Sequence, residues 1–131
     1  MGGDILQFRG VRGAITINEN TESEILQATD RLLRKMIQEN EIMPEQVASV
    51  FISVTDDITN AFPAKAMRTI EGWSYVPVMC MKEITVDSAL QKCIRIMMHI
   101  NTAKSQQEIN HIYLEEAVSL RPDLIENIQK D

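Results

Sequence analysis

The sequence predicts an α+β domain in which helices pack against one mixed β-sheet. Two observations predict this class. Short runs rich in β-branched residues alternate with helical segments along the chain, and turn residues separate them. No internal repeat or linker-like segment divides the 131 residues, so we treat residues 1–131 as one domain. Residues 1–8 are predicted to be a flexible N-terminal tail, and residues 125–131 a C-terminal tail.

The first strand is predicted at residues 9–17. Its apolar side chains Val11 and Ile15 recur with a period of two, which places Arg12 and Ala14 on the opposite face. Two glycines flank Arg12, and glycine in a strand often allows a ligand or another backbone to approach closely. The first strand therefore presents one arginine on a face that is not committed to the core.

The first helix is predicted to begin after Thr21 and to end near Glu39. Thr21 and Glu24 have the spacing of a capping box, in which each residue satisfies a free amide of the other. Apolar residues then recur at every third or fourth position, so one side of the helix should pack on the sheet.

Later elements are separated by turn signals. Pro63 suits the first turn of a second helix, and Gly72 suits its end. Ser105 opens a second capping-box match and a short helix. Strands are predicted at residues 47–54, 75–81, 93–100 and 111–114, a turn at 44–46, and a helical segment at 115–120.

Composition excludes several classes of function. The formal net charge is −6, whereas a nucleic-acid-binding protein needs a basic face. No apolar run approaches the ~20 residues that span a bilayer. The cysteines Cys80 and Cys93 are expected to be free thiols, and the expected location is the cytoplasm. A local group of arginines could still bind a small anion in an acidic protein.

Arg95 is the most informative residue because it interrupts an apolar strand. Ile94 and Ile96 lie on one face of that strand, so Arg95 lies on the other. A guanidinium stays charged, and burying it without a partner is very costly. Two alternatives remain open on the pattern alone: Arg95 forms a structural ion pair or reaches water, or it binds an anionic ligand.

Other candidate residues are weaker when each is taken alone. Lys65 and Arg68 share a helix face, and Arg121 precedes a proline. Cys80 by itself is usually a small buried residue, and Glu83 is usually solvated. The two histidines have no metal-site spacing, and no phosphate-binding loop, dinucleotide fingerprint or nucleophile elbow is found. We therefore expect no metal and no thiol catalysis, and an enzyme that works by positioning and electrostatics.

Five separated blocks of sequence resemble the small trimeric chorismate mutases. The resemblance runs in order from about Arg9 to Leu124. The blocks are RGVRGA at 9–14, FPAKA at 62–66, GWSYVPV at 72–78 with Cys80 and Met81, KCIRIMM at 92–98, and HIYLE at 111–115 leading into LRPD at 120–123.

The resemblance implies a cofactor-free isomerase that converts chorismate to prephenate in phenylalanine and tyrosine biosynthesis. It implies a homotrimer that forms a pseudo-α/β barrel, with active sites in clefts between subunits. Arg95 would contact the ether oxygen, Arg12 and Tyr113 a carboxylate, and Glu83 and Cys80 the ring hydroxyl. Arg121 would belong to a closing C-terminal segment. Met79 stands where the family usually has threonine. Residues lining the cleft would be Phe62, Ala64, Lys65, Arg68, Val78, Met79 and Leu120.

Two other functions remain as alternatives. A non-catalytic trimeric module could use the same arginines to bind a carboxylate metabolite. A small imine- or enamine-hydrolysing enzyme could have a similar trimeric architecture.

Overall fold

The computed structural model describes residues 5–120, and the structural statements below concern that part of the chain. Its elements alternate between strands and helices, as the sequence predicts. The strands are β1 (Gln7–Thr16), β2 (Val47–Val54), β3 (Val78–Lys82), β4 (Cys93–Thr102) and β5 (Ile112–Leu114). The helices are α1 (Glu22–Asn40) and four short 3-10 helices at Pro44–Gln46, Pro63–Thr69, Gln106–Glu108 and Glu115–Leu120.

The strands form one five-stranded mixed sheet in the order β3-β2-β4-β1-β5. Strand β4 is antiparallel to both β1 and β2. The outer strands β3 and β5 run parallel to their neighbours β2 and β1. The predicted class, a mixed sheet packed with helices, is confirmed.

Helix α1 begins where the capping pattern predicts. The Glu24 amide donates to the Thr21 hydroxyl at 3.2 Å. A capping box also requires the Glu24 carboxylate to accept from the Thr21 amide, and here it does not. The carboxylate accepts instead from the amides of Asn18 and Glu19. The carboxylate thus joins the chain preceding the helix to its first turn, where a negative charge is also favourable.

Several predicted boundaries differ from the structure. The third strand was expected from Tyr75 but begins at Val78, because Pro77 has no amide hydrogen for the ladder and Val76 still belongs to a turn closed by Trp73. The second helix ends at Thr69 rather than near Gly72, which has a φ of 88° in the following turn. β1 begins two residues before its predicted start, within the segment expected to be a tail.

The two faces of the sheet differ sharply. One face, called here the core face, packs against α1 through fully buried side chains that include Ile15, Ile52 and Ile96. Gly13 lies on the core face, where an added Cβ would meet the side chains of Met36 and Leu32 of α1. The opposite face, called here the open face, carries Arg12, Ala14, Ser49, Phe51, Ser53, Met79, Met81, Arg95, Met97, His99 and Tyr113.

None of the helices within residues 5–120 combines the length and the apolar character needed to cross a membrane.

Candidate active site

One row of residues in register crosses the open face and contributes a side chain from every strand. Reading from β3 to β5, the row consists of Met81, Ser53, Arg95, Ala14 and Tyr113. Adjacent strands lie about 4.8 Å apart, so the Cα atoms of Arg95 and Tyr113 are separated by about 10 Å. The small Ala14 side chain lies between them, is 1% exposed and packs with Tyr113 in a buried cluster. The predicted orientation of Arg95, away from Ile94 and Ile96, is confirmed.

Arg95 contacts Glu83, which follows β3. The Arg95 Nε atom lies 3.0 Å from Glu83 Oε2, and the two side chains are 29% and 26% exposed. The same carboxylate oxygen accepts a 3.0 Å hydrogen bond from the hydroxyl of Ser53. Sequence reasoning missed Ser53, because a serine in a strand carries no signal of its own until its neighbours are known.

The contact between Arg95 and Glu83 is an ion pair without an aligned hydrogen bond. Although Nε is close to the carboxylate, its N–H does not point along the contact, and Nε has no hydrogen-bond partner among residues 5–120. The same is true of the buried hydroxyl of Tyr113. A buried polar atom without a partner costs about 1–3 kcal/mol. Within the described part of the chain, Arg95 Nε and the Tyr113 hydroxyl are the two buried side-chain polar atoms without a hydrogen-bond partner, and both residues belong to the same row.

Two further predicted residues lie on this side of the sheet. Arg12 is opposite Met97, one row along from Arg95, and its backbone amide donates to His111 Nδ1 at 3.0 Å. Leu120 packs beside Tyr113. We call Arg12, Glu83, Arg95, Tyr113 and Leu120 the open-face cluster.

A second group of predicted residues lines a groove of about 510 Å³ between the 3-10 helix Pro63–Thr69 and β3. Within it, Lys65 forms a 3.1 Å ion pair with Glu22, and Arg68 is exposed. We call this group the groove cluster; its members are Phe62, Ala64, Lys65, Arg68, Val78, Met79 and Cys80.

The two clusters do not meet within one chain. Cys80 is in register with the buried Ile52 and so points to the core face, whereas Arg95 is in register with Ser53 on the open face. Cys80 and Glu83 are three residues apart in an extended segment, which sends them to opposite sides. The structure therefore brings Arg95, Glu83 and Arg12 to one side of the sheet and leaves Cys80 on the other.

Both cysteines are free thiols held in the protonated form. Burial raises the pKa of Cys80, and a backbone hydrogen bond with Ala64 offsets this in part. Burial also raises the pKa of Cys93, against the opposing charge of Arg95. Since the thiolate is the nucleophilic form, neither cysteine is activated for covalent chemistry.

Residues 5–120 contain no group of three or more histidine, cysteine or acidic side chains that could hold a metal ion. Arg121 lies outside the described residues.

The sequence model of the type I chorismate mutase family matches residues 8–124. This chain belongs to that family. It is 51% identical over 119 residues to the chorismate mutase AroH of Bacillus subtilis (strain 168), an alignment that covers 91% of this chain and 94% of that protein. It is 47% identical over 117 residues to the chorismate mutase AroH of Thermus thermophilus, covering 88% and 95% of the two chains.

The fold agrees with a solved chorismate mutase structure. A chorismate mutase from Clostridium thermocellum superimposes with a TM-score of 0.82 at 42% sequence identity, covering 85% of this chain and 98% of that one. The family inferred from the five sequence blocks is thus confirmed, together with the α+β sheet.

Proposed function

We propose that this protein is an isomerase that converts chorismate to prephenate without a cofactor, as a step in phenylalanine and tyrosine biosynthesis. The observation that carries the proposal is the row containing Arg95 and Tyr113, each with a buried polar atom that lacks a hydrogen-bond partner. Within a chorismate mutase fold, such atoms are poised for the oxygens of a dianionic ligand.

The rearrangement of chorismate requires the protein to hold one substrate conformer and to stabilise a developing charge. The rearrangement is unimolecular and transfers no proton, so the protein needs neither a nucleophile nor a general base. It must hold the folded substrate conformer, which is a contribution of proximity and orientation. It must also stabilise the negative charge that develops on the ether oxygen as the C–O bond breaks.

Each polar member of the open-face cluster has a role that suits its chemistry. Arg95 provides a permanent cation for the ether oxygen. Arg12 and Tyr113 bind a substrate carboxylate, since a guanidinium and a phenol can both donate to it. Glu83 accepts a hydrogen bond from the ring hydroxyl through the oxygen that Ser53 does not occupy. The exposure of the Arg95–Glu83 pair supports this division, because a ligand can reach both groups.

We further propose that the protein is a homotrimer and that each active site lies between two subunits. The open face exposes 42% of Phe51, 60% of Met79 and 41% of Met81, and Phe8 beside it is 60% exposed. Adjoining apolar side chains of this size on one face are typical of a protein–protein interface. Contact between the open-face cluster of one subunit and the groove cluster of the next would restore the complete set of predicted residues. Such a head-to-tail contact closes into a ring when the rotation permits.

We also propose a cytoplasmic location, since two free thiols suit a reducing compartment.

The activity is tested by incubating the purified protein with chorismate and following the loss of its ultraviolet absorbance. We expect turnover to prephenate without added metal or cofactor. Saturable binding of chorismate without turnover would instead identify a carboxylate-binding module. Neither binding nor turnover would favour the imine- or enamine-hydrolysing alternative.

The intersubunit site is tested by complementation between two inactive variants. Arg95→Ala removes the cation of the open-face cluster, and Ala64→Trp fills the groove. If sites form between subunits, unfolding and refolding an equal mixture restores about a quarter of the wild-type rate, because that fraction of sites combines two intact halves. A mixture that stays inactive, although mass spectrometry shows mixed trimers, would contradict the arrangement.

A further inference from the structure

Ser53 occupies an unusual position for a serine. It lies in β2, which has paired strands on both sides, in a segment otherwise rich in valine and isoleucine. Its register neighbours are Arg95 on β4 and Met81 on β3. Serine contributes little packing energy to a central strand. The contribution of Ser53 at this position therefore comes from the hydrogen bond of its hydroxyl.

The Ser53 hydroxyl fixes the carboxylate of Glu83 from one side. The Glu83 backbone amide donates to the Val54 carbonyl at 2.8 Å, which extends the contact between β2 and β3 by one residue. The Ser53 hydroxyl then donates to Oε2 of Glu83 at 3.0 Å. With its backbone and one carboxylate oxygen both tied to β2, Glu83 has little freedom to rotate away from Arg95.

Arg95 does not pair with Glu83 in the geometry that these two groups usually adopt. An unconstrained arginine and carboxylate favour a planar fork with two parallel, aligned hydrogen bonds. Here Oε2 already accepts from Ser53, and the Nε–H of Arg95 is not aligned with it despite the 3.0 Å separation. The ion pair therefore holds the guanidinium beside Glu83, while the Nε–H of Arg95 makes no aligned hydrogen bond to the carboxylate.

We infer that Ser53 is a positioning residue for the rearrangement. Its hydroxyl occupies Oε2 of Glu83, which leaves Oε1 for the substrate hydroxyl and holds the Arg95 guanidinium beside a fixed carboxylate. This inference rests on the proposed function. Ser53 touches no substrate atom in this scheme and acts through Glu83.

The test compares Ser53→Ala with a matched control, Ser49→Ala. Ser49 lies on the same strand and the same face, and its hydroxyl lies 3.2 Å from His99 Nδ1 rather than from Glu83. A hydrogen bond to a charged group is lost in Ser53→Ala, and we expect kcat to fall by about tenfold with a smaller change in KM. Ser49→Ala is expected to keep the wild-type kcat, and Ser53→Thr, which retains the hydroxyl, to recover most of it.

A double-mutant cycle separates positioning from a structural role. If Ser53 acts through Glu83, Ser53→Ala has no further effect in a Glu83→Ala background. A tenfold loss that persists in that background, or equal rates in Ser53→Ala and Ser49→Ala, would overturn the inference while leaving the activity intact. Circular dichroism and the thermal midpoint verify that each variant is folded. A wild-type protein without turnover would overturn the proposed function, and this inference with it.

Discussion

Replacing Arg95 by alanine gives the most direct test of the electrostatic mechanism. In the proposed site, a charge-assisted hydrogen bond would place the guanidinium about 3 Å from the ether oxygen. If roughly half a unit of charge develops there, an effective dielectric constant of about 20 gives close to 3 kcal/mol of transition-state stabilisation. This corresponds to a loss of about 10²-fold in kcat. The 29% exposure of the side chain in the single chain makes the value a lower bound if a second subunit excludes water.

The loss of activity should greatly exceed the loss of stability. Arg95→Ala leaves Glu83 with its hydrogen bond from Ser53 and with 26% of its side chain exposed, so the folded state should lose only about 1 kcal/mol. Arg95→Lys retains the charge but loses the planar fork, and the ammonium can pair head-on with the carboxylate. We expect that variant to be severely impaired as well.

Steady-state kinetics on chorismate and thermal unfolding are measured on the same preparations. Arg34→Ala is the control, because Arg34 also pairs through Nε with a carboxylate, that of Asp30 at 2.9 Å, but on the exposed side of α1. We expect Arg34→Ala to keep the wild-type kcat. Arg95→Ala with a kcat near that of the wild type and an unchanged thermal midpoint would refute the electrostatic role of Arg95.

Two further predictions concern other parts of the chain. Cys80→Ser should retain substantial activity, because a hydroxyl can replace the thiol as a hydrogen-bonding group; since burial raises the pKa of Cys80, its alkylation should be slow at neutral pH and accelerate only above the ordinary thiol range. An inactive serine variant together with a trapped covalent adduct would indicate a nucleophilic cysteine. Gly13→Ala should destabilise the fold by about 1–3 kcal/mol in chemical denaturation, because the added methyl group meets Met36 and Leu32. Gly10→Ala is its control, since its Cβ would meet only the flexible Met97 sulfur at 3.2 Å; equal losses in both variants would refute this packing argument.

Sequence patterns located most of the elements. β2 occupies the predicted residues 47–54, and Thr21 caps α1 as expected. These features depend on residues that are close in sequence, where propensity, capping and periodicity act directly. The start of β3 is the exception: it lies three residues after the predicted one, because Val76 closes a turn on the Trp73 carbonyl and Pro77 has no amide hydrogen for the ladder.

The candidate site depended on two kinds of information. Alternation along β4 alone identified Arg95 as a charge on the face opposite the core, and left open whether a protein carboxylate or a ligand balances it. The structure adds that Glu83 is its protein partner and that the pairing is not aligned. The family resemblance supplied the remaining residues, whose roles no spacing in the sequence could give.

The sequence by itself determined which face of each strand a side chain occupies, because a two-residue period is a local property of an extended backbone. Only the tertiary structure decided which strands lie side by side, and with that the meeting of Ser53, Glu83 and Arg95 and the separation of Cys80 from them. Strand register is set by pairing between segments far apart in the chain and by burial of one whole face against α1. No single segment carries that information.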